Sequence, residues 1–158
     1  MSYNTIKIKN YLDVFEEYEA YEAISPGMLI EPRPGYETVR KHATEGGNAI
    51  PMFAIENFLE GKGITDAYAA GEKVQCWIPQ RGDQVYALIE DEQNIAIGDY
   101  LESNGSGYLQ KHIPDEGSAA VYPNQIIGQA LEALDLSSLS TADSSLYPKR
   151  QFCRIRIL

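Results

Sequence analysis

Val74-Gln75-Cys76-Trp77-Ile78 and, five residues further on, Gln84-Val85-Tyr86-Ala87-Leu88-Ile89-Glu90 are the stretches on which the fold turns. In each, apolar side chains recur at every second residue. Val74, Cys76 and Ile78 share one face, as do Val85, Ala87 and Ile89, which is the period of an extended strand. Pro79 to Asp83 has the length of a hairpin loop, so the two strands are predicted to pair with each other. Tyr100 to Glu102 and Tyr108 to Gln110 flank Ser103 to Gly107, where Asn104-Gly105 supplies the positive φ angles of a tight turn, and a second hairpin is expected there.

The same pattern extends to both ends of the chain. Ile6 and Ile8 alternate with Lys7 and Lys9, and Cys153, Ile155 and Ile157 alternate with Phe152, Arg154 and Arg156. Between them, Ser25-Pro26-Gly27 reads as a turn, Met28 to Glu31 as a short strand, Pro32 to Gly35 as a bend and His42 to Asn48 as a loop. Ile50 to Leu59 reads as a bulged strand or a helical turn. Two segments read otherwise: Leu12, Phe15, Tyr18 and Tyr21 have helical spacing, and Ile126 to Leu134 suits a helix by content and a strand by its β-branched start. Short runs with regular Gly, Pro and Asn punctuation predict a mainly β chain, a compact β-sandwich or barrel-like single domain with short helical turns. Residues 1–10 form an N-terminal arm or edge strand, 11–134 a β-rich body, 135–149 a Ser-rich loop and 150–158 a C-terminal strand.

A chain of 158 residues with 44% hydrophobic residues buries enough surface to fold without a disulfide or metal staple. The net charge of −10 repels phosphate backbones, which argues against nucleic acid as a partner. Eleven of the aromatic residues are Tyr, a ring suited to strand faces and protein contacts. No apolar run approaches the ~20 residues of a membrane-crossing helix. Cys76 and Cys153 stand far apart and no signal-like segment opens the chain, so synthesis in a reducing cytoplasm is expected.

Catalytic and metal chemistry find little to stand on. His42 and His112 each lie next to Lys in polar segments and read as solvated surface side chains, not as bases beside a nucleophile. Two lone cysteines and two lone histidines offer no grouped zinc ligands, and no phosphate-cradling glycine motif is present. Glu16-Glu17 and Glu90-Asp91-Glu92 read as solvated faces, and Arg81-Gly82-Asp83 as a turn. Gly63-Ile64-Thr65-Asp66-Ala67-Tyr68-Ala69-Ala70-Gly71-Glu72 resembles the uracil-reading hairpin of trimeric deoxyuridine triphosphatases. It is one residue short between Asp66 and Tyr68, and that family's Arg-Ser-Gly/Ser, Arg-x-Ala-Gln and Gly-rich C-terminal segments are absent. No enzyme activity, cofactor or metal is therefore expected.

A broader resemblance runs from Thr5 to Asp135. It is carried by Ala23 to Glu31, His42 to Asn48, Gly61 to Val74, Arg81 to Ala87, Ile97 to Ser103 with Gly105, and Ile127 to Ala133. In order and spacing these segments resemble capsid cement, or head decoration, proteins of tailed bacteriophages. The resemblance implies a β-rich homotrimer on the outer surface of the virion head, bound to the major capsid protein, without nucleic acid or membrane contact. It also implies strand, not helix, for Val14 to Ile24 and Ile126 to Leu134. For such a protein the candidate capsid contacts are Tyr3, Ile6, Lys7, Ile8 and Lys9: the arm adds a strand to a capsid sheet, with backbone pairing for affinity and side chains in pockets. The competing expectation is that this strand belongs to the protein's own sheet.

Overall fold

Alternating apolar residues become strands throughout the computed structural model, which describes residues 3–114, 123–137 and 151–158. In chain order the strands are β1 (Lys7–Lys9), β2 (Phe15–Ala20), β3 (Ile30–Pro32), β4 (Thr38–Lys41), β5 (Phe53–Ala54), β6 (Lys73–Trp77) and β7 (Gln84–Leu88). Then come β8 (Asn94–Ile95), β9 (Tyr100–Ser103), β10 (Leu109–Lys111), β11 (Ile126–Ala130), β12 (Leu134–Asp135) and β13 (Phe152–Ile157). The only helical element among the described residues is a 3₁₀ turn at Phe58–Glu60. The mainly β expectation therefore holds, and the sheets build one domain around a shared core. Of the Ser-rich loop, only residues 135–137 fall within the described residues.

The helical spacing from Leu12 to Tyr21 gives way to strand, and Ile126 to Leu134, open between helix and strand, is strand, as the cement-protein resemblance implied. β2 carries Tyr18 and Ala20 toward shelter while its glutamates stay exposed, and a six-residue strand paired on both sides outcompetes a helix too short to stand alone. In the region read as 126–134, β11 and β12 lie either side of a bend, and Gly128 sits where a Cβ would come within 2.7 Å of the Arg156 carbonyl oxygen. Close backbone approach of that kind suits a strand glycine.

The first expected hairpin does not form. β6 pairs antiparallel with β2 and β5, whereas β7 pairs with β1 and β13. The two stretches thus belong to different sheets, ordered β3-β4-β2-β6-β5 and β1-β7-β13-β11-β9-β10. Asp83 is the physical reason for the crossover. Buried to 1% exposure, it accepts from the Gln80 N–H at 2.8 Å and from the Tyr11 N–H at 3.0 Å. Gly82 N–H donates to the Ile157 carbonyl at 2.9 Å, tying the connection to the end of β13. The connection is clamped in a shape that leads out of one sheet and into the other. The second expected hairpin forms as read, with Leu109 opposite Ser103 in β10 and β9.

Beside a two-stranded β12-β8 ribbon, each of these two larger sheets closes on itself. Leu29, just before β3, bridges Phe53 of β5, and Ile30 N–H donates to the Met52 carbonyl at 2.9 Å. In the larger sheet Ile89, just after β7, bridges Leu109 of β10, leaving β1 as an added edge strand on β7. Closure satisfies backbone groups that open edges would leave unpaired.

The segment Gly27–Leu29 joins the two rings. Gly27 N–H donates to Ala54 of the first sheet at 2.8 Å, its carbonyl accepts from Leu88 N–H of the second at 3.0 Å, and Leu29 N–H reaches the Gly107 carbonyl at 2.8 Å. Gly27 has φ of 88°, and a Cβ there would lie 2.6 Å from the Phe152 ring. One hydrophobic cluster spans both rings, drawing Leu29, Phe53 and Trp77 from one side and Leu88, Leu101 and Ile155 from the other.

Gly27→Ala is expected to lose about 2–5 kcal/mol, combining left-handed strain with overpacking against Phe152. Gly35→Ala has similar strain at φ of 80° but no atom within 4 Å of its Cβ, so it should lose only about 1–2 kcal/mol. Urea unfolding of the two variants measures the difference, and equal losses would remove Phe152 from the explanation.

Candidate functional site

The five N-terminal candidates have distinct surroundings. Ile6 is fully buried; its carbonyl accepts from Tyr86 N–H at 2.8 Å and its N–H donates to Glu56 Oε2 at 3.1 Å. Tyr3 packs edge-on against Tyr86 with ring centroids 5.3 Å apart, and Arg154 Nη1 donates to its hydroxyl at 3.2 Å. Lys7 Nζ lies 2.8 Å from Asp13 Oδ1 and 4.2 Å from the centre of the Phe15 ring. Ile8 is half-buried against the core and Lys9 is exposed. Of the two readings of this strand, the structure forms the second: β1 is an edge strand of the protein's own sheet. Ile6 is thereby withdrawn from any partner pocket, because it fills one inside the domain.

The histidines are not solvated, which corrects the sequence reading. His42 is 2% exposed, with Nδ1 2.7 Å from Ser103 Oγ and Nε2 3.0 Å from the Asn48 carbonyl oxygen. A carbonyl only accepts, so Nε2 carries the proton and the Ser103 hydroxyl donates to Nδ1 while accepting Gly105 N–H at 3.1 Å. Glu31 Oε2 stands 3.6 Å from Nε2. Ser, His and Glu thus meet, but Ser103 is fully buried and sits on the inner ring nitrogen of the pair, where it brackets β9 to the end of β4. His112 Nδ1 is 2.5 Å from Glu102 Oε2, and Gln125 and Gln110 also donate to that carboxylate, at 2.9 and 3.1 Å. These four side chains fasten β9, β10 and the approach to β11 together. His42 and Ser103 are 61 residues apart, so nothing in local sequence announces the contact.

Asp66 and Tyr68, the residues behind the triphosphatase resemblance, have structural partners. Asp66 Oδ2 accepts Gly63 N–H at 2.7 Å, which closes a turn, and Tyr68 is 2% exposed with its hydroxyl donating to the Ile55 carbonyl at 2.7 Å. Burial pushes the Tyr68 phenol up to about 12. The Asp83 carboxylate of Arg81-Gly82-Asp83 is likewise consumed by its turn. Cys76 and Cys153 are free, buried thiols, each raised from 9.0 to about 12 chiefly by loss of solvent. Among the described residues no group of three or more His, Cys, Asp or Glu could hold a metal ion.

Surface features among the described residues are open to a partner. A groove of about 410 Å³ is lined by Ile30, Pro32, Ile50, Met52 and Ile78, with Glu16, Glu31 and His42 on its polar side. At the β3–β4 turn, the Arg33 guanidinium lies 3.8 Å from the ring centroids of both Tyr21 and Tyr36.

No family model and no curated protein matches the chain. Among solved structures, the N base of the head fibre protein gp8.5 of bacteriophage phi29 is similar, with a TM-score of 0.56 over 93% of this chain and 95% of that one. The two chains share a fold. Sequence identity is 14%, so the likeness lies in strand arrangement and not in side chains.

Ile6→Ala should lose about 2–5 kcal/mol by leaving a cavity, and Lys9→Ala should change unfolding by less than about 0.5 kcal/mol. Removal of residues 2–9 is then expected to destabilise the whole domain, not merely to free an arm; circular dichroism during thermal unfolding reads both effects. The thiols should resist a chromogenic disulfide reagent at pH 8 until guanidinium unfolds the chain. Because unfolded thiols ionise near 9.0 and folded ones near 12, unfolding releases protons above pH 9, and stability should fall as pH rises from 9 toward 12. A Cys76→Ala and Cys153→Ala double variant should show a smaller fall.

Proposed function

We propose that this protein is a structural component of a tailed bacteriophage virion, seated on the outer surface of the head, where it stabilises the capsid lattice. The observation that carries the reading is the fold shared, over nearly the full length of both chains, with the base of a phage head fibre. The ordered resemblance to head decoration proteins from Thr5 to Asp135 points the same way. Two closed sheets locked at one glycine make a stiff body that can bear load. A head under internal DNA pressure fails where capsid subunits separate, and a body touching several subunits opposes that separation through binding free energy. Contacts repeated in a trimer add avidity, so each can be modest.

In this reading the partners are the major capsid protein and two further copies of the chain, and the protein is made in the host cytoplasm before it joins the virion. It needs no cofactor and performs no catalysis; its acidity keeps it off packaged nucleic acid. The name of the structural neighbour favours a second, related role, in which the domain is the base from which a fibre rises.

Heads assembled without the protein, then mixed with it, provide the test. Images of the decorated heads are expected to show density on the outer surface, clustered in threes, and the decorated heads should survive a higher temperature than bare ones. Density confined to single copies would remove the trimer, and density on tails or none at all would remove the head assignment. Incubation with dUTP and Mg²⁺ should give no turnover, and turnover abolished by Asp66→Ala would replace the structural role with an enzymatic one.

A further inference from the structure

The β3–β4 connection is built to hold one cation still. Arg33-Pro34-Gly35-Tyr36 closes as a β-turn, with Tyr36 N–H donating to the Arg33 carbonyl at 3.1 Å and Arg33 N–H donating to the Thr38 carbonyl at 2.8 Å. Pro34 presets one turn angle, and Gly35, at φ of 80°, supplies the left-handed residue that follows it. The guanidinium carbon then lies 3.8 Å from the ring centres of both Tyr36, from the turn, and Tyr21, from the end of β2. The guanidinium thus lies within cation–π distance of two aromatic rings at once. Its N–H edge makes no hydrogen bond or ion pair among the described residues.

That edge is unpartnered although carboxylates are near in sequence. Glu31 is taken by Arg40 at 2.8 Å, and Glu22 holds the Lys41 backbone N–H at 3.1 Å and its Nζ at 3.7 Å. Tyr21 and Tyr36 are 51% and 61% exposed, and no atom comes within 4 Å of a Cβ built on Gly35. A planar fork of donors, already stripped of rotamer freedom and flanked by tyrosines, has the composition of an interface anchor. Ordering it on binding costs little, since the turn and rings have ordered it beforehand. We propose that the Tyr21–Arg33–Tyr36 platform is a docking point for a partner protein and that the group it takes is a carboxylate on the capsid shell. A carboxylate matches the two parallel donors of the guanidinium, and a single carboxylate meets far less repulsion from the chain's net charge of −10 than a polyphosphate such as nucleic acid does.

The choice of the capsid as partner rests on the virion reading, so the experiment separates the two. Bare heads are titrated with wild-type protein, Arg33→Ala and Arg33→Lys, and each variant's thermal midpoint is recorded. Arg33→Ala should bind at least tenfold more weakly with its midpoint within a few degrees of wild type. Arg33→Lys, which keeps the charge but not the planar fork, should fall between. Heads whose carboxylates have been capped with carbodiimide and ethanolamine should no longer distinguish wild type from Arg33→Ala. Wild-type decoration with unchanged affinity in Arg33→Lys and Arg33→Ala overturns the platform and leaves the virion reading standing. A wild-type preference that survives on capped heads overturns the carboxylate, and failure of wild type to bind any head overturns both readings together.

Discussion

Everything in this fold passes through the backbone of Gly27. Its N–H and carbonyl, on the two peptide units that flank one Cα, are hydrogen-bonded to different sheets, so the two closed rings meet at a single residue. The left-handed φ turns the chain from one ring to the other, and the missing side chain lets the Phe152 ring occupy the space above it. Phe152 in turn stacks on Tyr86 at 4.8 Å, and Tyr86 supports Tyr3, so the N- and C-terminal strands are packed against the same junction.

The polar interior follows the same logic of joining distant segments. Asp83, His42 with Ser103, and Glu102 with His112 are each buried or nearly so, and each set combines local hydrogen bonds with one to a distant segment, at Tyr11, between positions 42 and 103, and at Gln125. Burying a polar group is costly unless it is satisfied. Here satisfaction is achieved by ties across the structure, which makes these residues specify the arrangement of strands as well as tolerate burial. Groups that would suggest chemistry in isolation, a serine beside a histidine and an aspartate ahead of a tyrosine, are occupied in this way.

What is left for a partner is therefore the outside. The exposed tyrosines and the Arg33 platform lie apart from these internal ties, and the apolar groove beside Ile50 meets them at His42. The strand arrangement is shared with a phage head fibre base at 14% identity, so the frame is common to the two chains and the outer side chains are each chain's own.

Strand identity was legible in the chain because a two-residue apolar period is a local property, read from neighbours. Val74 to Ile78, Gln84 to Glu90, the Asn104-Gly105 hairpin and the terminal Cys153 to Ile157 strand all declared themselves in that way, and the turn at Pro34-Gly35 did so through its own backbone preferences. Strand partnership was not legible. β6 and β7 look like a hairpin because only six residues separate them, yet the buried Asp83 carboxylate, with its ties to Tyr11 and Gln80, holds the connection in a shape that leads to different sheets. The histidines misled for the same reason: burial depends on residues up to 61 positions away, and a Lys neighbour says nothing of them. Ile6 was recognisable as an apolar strand residue, but whether it faced a partner or the core was decided by Tyr86 and Glu56 closing over it. Local periodicity determined which residues extend; long-range hydrogen bonding and shared burial, which couple residues by distance in space, decided where each strand lies and what remained exposed for function.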